Sequence, residues 1–131
     1  MRISHLRIWV DDMAKARTFY GEILGLESPW SWGEAAMGFE IGDATLIVEP
    51  DDGSHPNEKL SGRFVGCTIQ VDDIEATYKD WTAKGVEFDG PPEDAPGIGI
   101  MTSFRDPAGN VFTLFEHRRV APALRRKKRR S

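Results

Sequence analysis

The sequence predicts an α+β protein of two βαβββ modules, and three observations carry that expectation. A segment recurs at an offset of 61 residues, each copy passes from alternating to helical spacing, and three strand-like stretches follow each helix. His5-Leu6-Arg7-Ile8-Trp9-Val10-Asp11-Asp12 matches Gly66-Cys67-Thr68-Ile69-Gln70-Val71-Asp72-Asp73, since both alternate and both end in Val-Asp-Asp. A length of 131 residues, 40% hydrophobic and 29% charged, suits one globular domain or two half-size modules sharing a core. The modules fall at 1–49 and 63–117, the linker at 50–62, and a basic tail at 118–131.

In the first module, alternation puts Leu6, Ile8 and Val10 on one strand face and His5, Arg7 and Trp9 on the other. The Asp pair then accepts from the first free N–H groups of a helix over 13–24, in which Met13, Ala16, Phe19, Tyr20 and Ile23 share a face. Gly25 closes it. Strands follow at 27–32, 35–41 and 44–49, with Gly42-Asp43 as a hairpin turn. Turn formers fill 50–62. The second module repeats the plan, with Cys67, Ile69 and Val71 on the apolar face and a helix over 74–84 carrying Ile74, Thr77, Tyr78 and a core Trp81. After Gly85, strands are expected at 86–88, 98–105 and 110–116, with Asp106-Pro107-Ala108-Gly109 as a β-turn. The proline-rich stretch 90–99 reads as a surface loop that lies over a cavity mouth.

The net charge of −4 hides a division. Residues 118–131 hold eight of the 17 bases and no acid, which leaves nine bases against all 21 acids in 1–117, a body of −12 and a tail of +8. An acidic body argues against a nucleic-acid-binding domain. The tail reads as a disordered, solvated end whose contacts with polyanions are non-specific. No apolar run is long enough to span a bilayer, and the amino terminus carries no signal-peptide pattern. With the lone Cys67, this points to the cytoplasm. Cys67 on an apolar face reads as an inert core thiol. Neither a phosphate-binding loop nor a Gly-x-Ser-x-Gly elbow is present.

The repeat, the run Phe19-Tyr20-Gly21-Glu22-Ile23-Leu24-Gly25-Leu26 and the run Phe104-Arg105-Asp106-Pro107-Ala108-Gly109-Asn110 together resemble the vicinal oxygen chelate superfamily. That superfamily, the glyoxalase, bleomycin-resistance and extradiol dioxygenase type, is matched over residues 3–117. The resemblance implies the glyoxalase/bleomycin-resistance fold, an eight-stranded, cup-shaped mixed sheet around one ligand site, commonly completed by homodimerisation. It also implies where a divalent metal would be held. One ligand position is His5, its repeat-mate is Gly66, a third is Thr113, and a fourth lies around 46–48. Glycine offers no side chain and one imidazole cannot hold a catalytic ion, so no cofactor is expected. A shifted register offers an alternative divalent-metal set of His5, Glu49 and Glu116, the two glutamates read as repeat-mates near strand ends. Strand parity opposes it, because Glu116 and Thr113 point to opposite faces.

Several residues are candidates to touch a ligand in the cup. His5 is a general base or a hydrogen-bonded wall residue. Arg7 either recognises an anion or forms a salt bridge to one of many acids. Thr68, Gln70 and Thr113 offer neutral polar contacts from the second module, whereas Trp9, Trp30, Trp32, Phe39, Met101 and Phe115 supply apolar and stacking surface. Three functions compete. The first is a metal-independent protein binding a small aromatic or anionic compound. The second is a metal-dependent lyase, isomerase, transferase or dioxygenase using His5, Glu49 and Glu116. The third is a metal-free enzyme with His5 as base beside Arg7.

Overall fold

The repeat in the sequence is a repeat in the sheets. The computed structural model describes residues 1–118, apart from the side chains of Ser28 and Pro29. In the first module β1 (His5–Val10), β2 (Glu27–Ser31), β3 (Met37–Ile41) and β4 (Ala44–Pro50) form a sheet of order β1-β4-β3-β2. In the second, β5 (Phe64–Gln70), β6 (Glu87–Phe88), β8 (Gly99–Arg105) and β9 (Val111–His117) follow the order β5-β9-β8-β6. In each module the first strand runs parallel to the last, and the remaining pairs are antiparallel. The expected strands thus stand with ends shifted by one or two residues.

Nine strands are present among the described residues, not the eight expected. The extra one, β7 (Glu93–Ala95), lies inside the stretch read as a loop over a cavity mouth and pairs with β8. The turn chemistry of Ala95-Pro96-Gly97-Ile98 explains it. Proline sets the second position, Gly97 at φ +80° takes the third, and Ile98 N–H donates to the Ala95 carbonyl at 2.9 Å.

Both helices start as the repeated Asp pair dictates. The Asp12 side chain accepts from Lys15 N–H to cap α1 (Met13–Arg17), and Asp73 accepts from Ala76 N–H to cap α2 (Ile74–Ala83). The first helix departs from expectation at its end. After Arg17 the chain widens into a π-helical turn, Thr18–Ile23, with Leu24 N–H donating to the Phe19 carbonyl at 2.9 Å. Phe19 and Tyr20, adjacent in sequence, are both buried there.

Those two rings explain why the modules cannot part. Phe19 packs 6.4 Å from Phe104, and Tyr20 lies 5.7 Å from Phe39 and 6.2 Å from Phe112. Phe104 and Phe112 stack at 5.5 Å, and Trp81 meets Phe104 edge-on at 5.2 Å. One hydrophobic core therefore draws on both halves.

A buried polar network joins the halves as well. Tyr20 Oη donates to Asp106 Oδ2 at 2.6 Å, while Asp106 Oδ1 accepts from Ala108 and Asn110 N–H. Asn110 Nδ2 donates to the Trp9 carbonyl and to Asp106, and Asn110 Oδ1 accepts from Arg63 N–H. Burial, then the Asp106 charge, holds the Tyr20 phenol well above its usual pKa. The two sequence runs that carried the family resemblance are thus bonded to each other. Arg118, where the basic tail begins, pairs with Asp94 at 3.0 Å, and the rest of the expected disordered tail, 119–131, lies outside the described residues. Among the described residues no helix is long and apolar enough to cross a membrane.

Candidate functional site

Each sheet turns one face to the core and leaves the other open. On β1, Ile8 and Val10 are buried while His5 and Arg7 are exposed, and on β5 Val65, Cys67 and Ile69 are half-buried between exposed Gly66, Thr68 and Gln70. Burial raises the Cys67 thiol above its ordinary pKa, which suits an unreactive packing residue. Residues opposite one another on paired strands share a face, so the register gives the rows of each open face. On the first sheet one row is Arg7, Ile47 and Gly38, and the next contains Trp9 and Glu49.

Arg7 and Glu49 form the charged centre of the first open face. The Arg7 guanidinium donates to both Glu49 carboxylate oxygens, Nε at 2.7 Å and Nη2 at 3.0 Å, and stacks 5.0 Å from the Trp9 ring centroid. The hydrogen bond and the charge of Glu49 raise the Arg7 pKa. Trp30 sits above the same face. A Cβ on Gly38 would come within 2.5 Å of its indole, so only glycine leaves room for the ring. Trp32, 71% exposed, lies 5.1 Å from Trp30, and the turn it begins carries Ala35 back through a 3.0 Å bond to the Trp32 carbonyl.

A cavity of about 470 Å³ opens at the carboxyl ends of the parallel pair β1 and β4. Arg7, Trp9 and Glu49 form its floor, and Asp52, Ser54, His55, Glu58 and Leu60 supply its outer wall. That wall is the linker between the modules. It is held in place from both ends: Asp51 N–H donates to the Val10 carbonyl, and the Asp51 carboxylate accepts from Leu60 and Ser61 N–H at 3.3 and 3.1 Å. The bond from Ser61 leads the causes that keep Asp51 below the usual carboxylate range. Asp52 is also lowered, chiefly by its bonds from Ser54. A narrower slot of about 160 Å³ separates β1 from β5, beside the Trp9–Ser61 bridge. A further hollow of about 390 Å³ outside α1, lined by Ala14, Thr18, Phe19 and Pro107, has apolar walls with Lys15 as its lone charged group. Convergent polar groups over an aromatic floor favour the first cavity as the site.

The expected residues divide sharply. Arg7, Trp9 and Glu49 line the cavity, whereas Trp30, on β2 of the same sheet, and Trp32, just past the end of that strand, do not line it. His5 does not line it; it lies exposed two residues earlier on β1, opposite Thr45, with Nδ1 bonded to Ser4 Oγ. Phe39 does not line it either, being buried against Tyr20 on the core side of β3. Thr68, Gln70, Met101, Thr113 and Phe115 sit together on the open face of the second sheet and do not reach this cavity. The linker wall was missed because 50–62 reads as spacer; its one legible signal was the density of Asp, Ser, His and Glu.

The residues do not fit a divalent metal. Gly66, at φ +71°, has no side chain, and Thr113 lies opposite Thr68 rather than beside a carboxylate. The alternative set is also not assembled. Glu49 is opposite Trp9, four residues along from His5, and both of its oxygens are taken by Arg7. Glu116 faces the helix, where Oε1 accepts from Ile74 N–H at 2.9 Å. Nor are the two glutamates repeat-mates: Trp9 pairs with Glu49, and the matching Gln70 pairs with Phe115. Among the described residues no group of three or more His, Cys, Asp or Glu is placed to hold a metal ion.

With this geometry in place, comparison with known proteins defines the class. The model of the Glyoxalase/Bleomycin resistance protein/Dioxygenase superfamily matches residues 2–114, and the chain belongs to that family. YetH of Bacillus subtilis (strain 168), an uncharacterized protein, is 28% identical over 121 residues, spanning 88% of this chain and 98% of its own. A superfamily member from Sphaerobacter thermophilus DSM 20745 superposes with a TM-score of 0.78 at 28% identity, covering 89% of this chain and 98% of that one. TnmS3, an antibiotic binding protein from Streptomyces sp. CB03234, gives a TM-score of 0.76 at 24% identity over 90% and 97% of the two chains, a likeness of fold.

Proposed function

We propose that this protein binds a small aromatic compound, without a metal, in the cavity between the first sheet and the linker. The observation that carries the reading is the floor of that cavity. The Trp9 ring and the stacked Arg7–Glu49 pair offer a flat, polarizable surface, with Trp30 further along the same open face. An aromatic face with a few fixed polar groups is the usual make-up of a small-molecule site. A volume of about 470 Å³ lies in the range of such sites. The fold shared with an antibiotic binding protein is in keeping with this role at the level of architecture.

No catalytic step follows from the cavity. A base role for His5 would need it within reach of the bound molecule; it lies on Arg7's face of β1 about 7 Å back along the strand and does not line the cavity, where Arg7 itself is committed to Glu49. Exposed Trp32 and Phe64, at 71% and 70%, suggest that a second copy covers part of the open faces. Sedimentation of the full chain is expected to give a dimer.

The binding reading is tested with acridine, a planar three-ring heterocycle uncharged at neutral pH, by quenching of tryptophan fluorescence. Saturable quenching is expected, unchanged by prior EDTA dialysis and weakened about ten-fold in Trp9→Leu, the loss of one stacked ring. Quenching that disappears after EDTA and returns with a divalent ion overturns the metal-free reading. Absence of saturation overturns the binding site itself.

A further inference from the structure

The charges on the cavity wall say which aromatic compounds fit. Three carboxylates, Glu49, Asp52 and Glu58, line it against a single guanidinium, Arg7. Arg7 is neutralised in place, since its fork is filled by Glu49 and its face by Trp9. Glu58 is paired with Arg63 at 2.7 Å. Exposed Asp52 has no ion pair: its Oδ1 accepts from Ser54 N–H, and the one cationic influence on it is that of neighbouring His55, whose Nδ1 is bonded to Ser54 Oγ at 3.2 Å. One negative charge is therefore left facing an aromatic floor, on a linker that Asp51 and the Trp9–Ser61 bridge hold in position.

We infer that the site selects planar aromatic cations, an aryl or heteroaryl amine that carries its positive charge between the Asp52 carboxylate and the Trp9 ring. This rests on the binding reading above and narrows it, because the same reading taken from sequence left Arg7 free to attract an anion. The geometry removes that option. A cation gains from the indole face and from the carboxylate at once, whereas an anion would have to displace Glu49 from both of its hydrogen bonds. Asp52 is the residue that sets the charge preference, and Trp9 the one that sets the shape.

Three molecules on one ring skeleton separate these roles: acridine, the cationic diaminoacridine proflavine, and acridine carboxylate. Full-length protein is titrated with each at neutral pH and low salt. Proflavine is expected to bind at least about ten-fold more tightly than acridine carboxylate, with a preference that shrinks as salt is raised. Asp52→Asn is expected to weaken proflavine about five-fold more than it weakens uncharged acridine, while Trp9→Leu weakens both alike. Equal binding of cation and anion, or tighter binding of the carboxylate, overturns the charge preference and leaves the aromatic site standing. Loss of acridine binding in Asp52→Asn shows a structural role for the residue and also overturns the assignment. If none of the three binds, both the preference and the site beneath it fall.

Discussion

On the open face of the first sheet stand Arg7, Trp9, Ile47 and Glu49; at the matching positions of the second stand Thr68, Gln70, Thr113 and Phe115. On the core side the same strands carry Ile8 and Val48 in one module, Ile69 and Leu114 in the other. At these positions the two copies keep aliphatic residues on the packed side, although Leu6 corresponds to Cys67, and carry different residues on the open one. Packing accepts few volumes, so the core positions of a duplicated unit stay alike. The open positions are released from that constraint and can differentiate. Both modules do share one device there, an aromatic ring laid over a glycine: Trp30 on Gly38 in the first sheet, Phe115 on Gly99 in the second.

If the two halves are one packing unit, Phe104→Ala should destabilise the whole chain by about 3–5 kcal/mol, with both modules melting in a single transition. Two separated transitions in a denaturation followed by amide exchange would break the comparison at its root. Tyr20→Phe should cost about 1–3 kcal/mol, because buried Asp106 loses a donor that crosses between modules. That bond also has a pH signature. The unfolded phenol ionises near 10.0 while the native one keeps its proton, so stability is whole below pH 10.0 and falls as pH rises beyond it. The phenylalanine variant should lose this alkaline limb.

Gly38→Ala should displace Trp30 and cost about 1–3 kcal/mol, seen as a shift in tryptophan emission; unaltered emission would mean the glycine seat is not needed. Arg7→Met should leave the melting temperature nearly unchanged, as expected for an exposed ion pair, yet alter probe binding. The smallest effect lies in the linker. Asp51 is held below its ordinary 3.8, so its bonds to Leu60 and Ser61 persist above that value and are lost as pH falls below it. Pepsin cleavage within the linker should rise over that acid range.

Much of the fold was legible because it rests on local rules stated twice. Asp12 and Asp73 cap helices as their position in the repeat requires, and the alternation of β1 and β5 sorts the core from the open face. What sequence could not supply was register. Phe39 looked like a wall residue until its pairing with Leu46 put it on the core side, and Glu116 looked like a partner of Glu49 until Phe115 proved to occupy that position. The strand at Glu93–Ala95 was hidden by surrounding prolines. The site was the least legible part, because half of its wall comes from a linker whose fold depends on Asp51 bonds spanning nine and ten residues.

The most direct test of the account is an NMR map of proflavine bound to the full chain, read through nuclear Overhauser contacts between its ring protons and assigned side chains. Contacts to the Trp9 indole and the Leu60 methyls are expected, with none to Met101 or Phe115. Contacts confined to Met101, Phe115 and Gln70 would place the ligand on the second sheet and contradict the assignment of binding to the first.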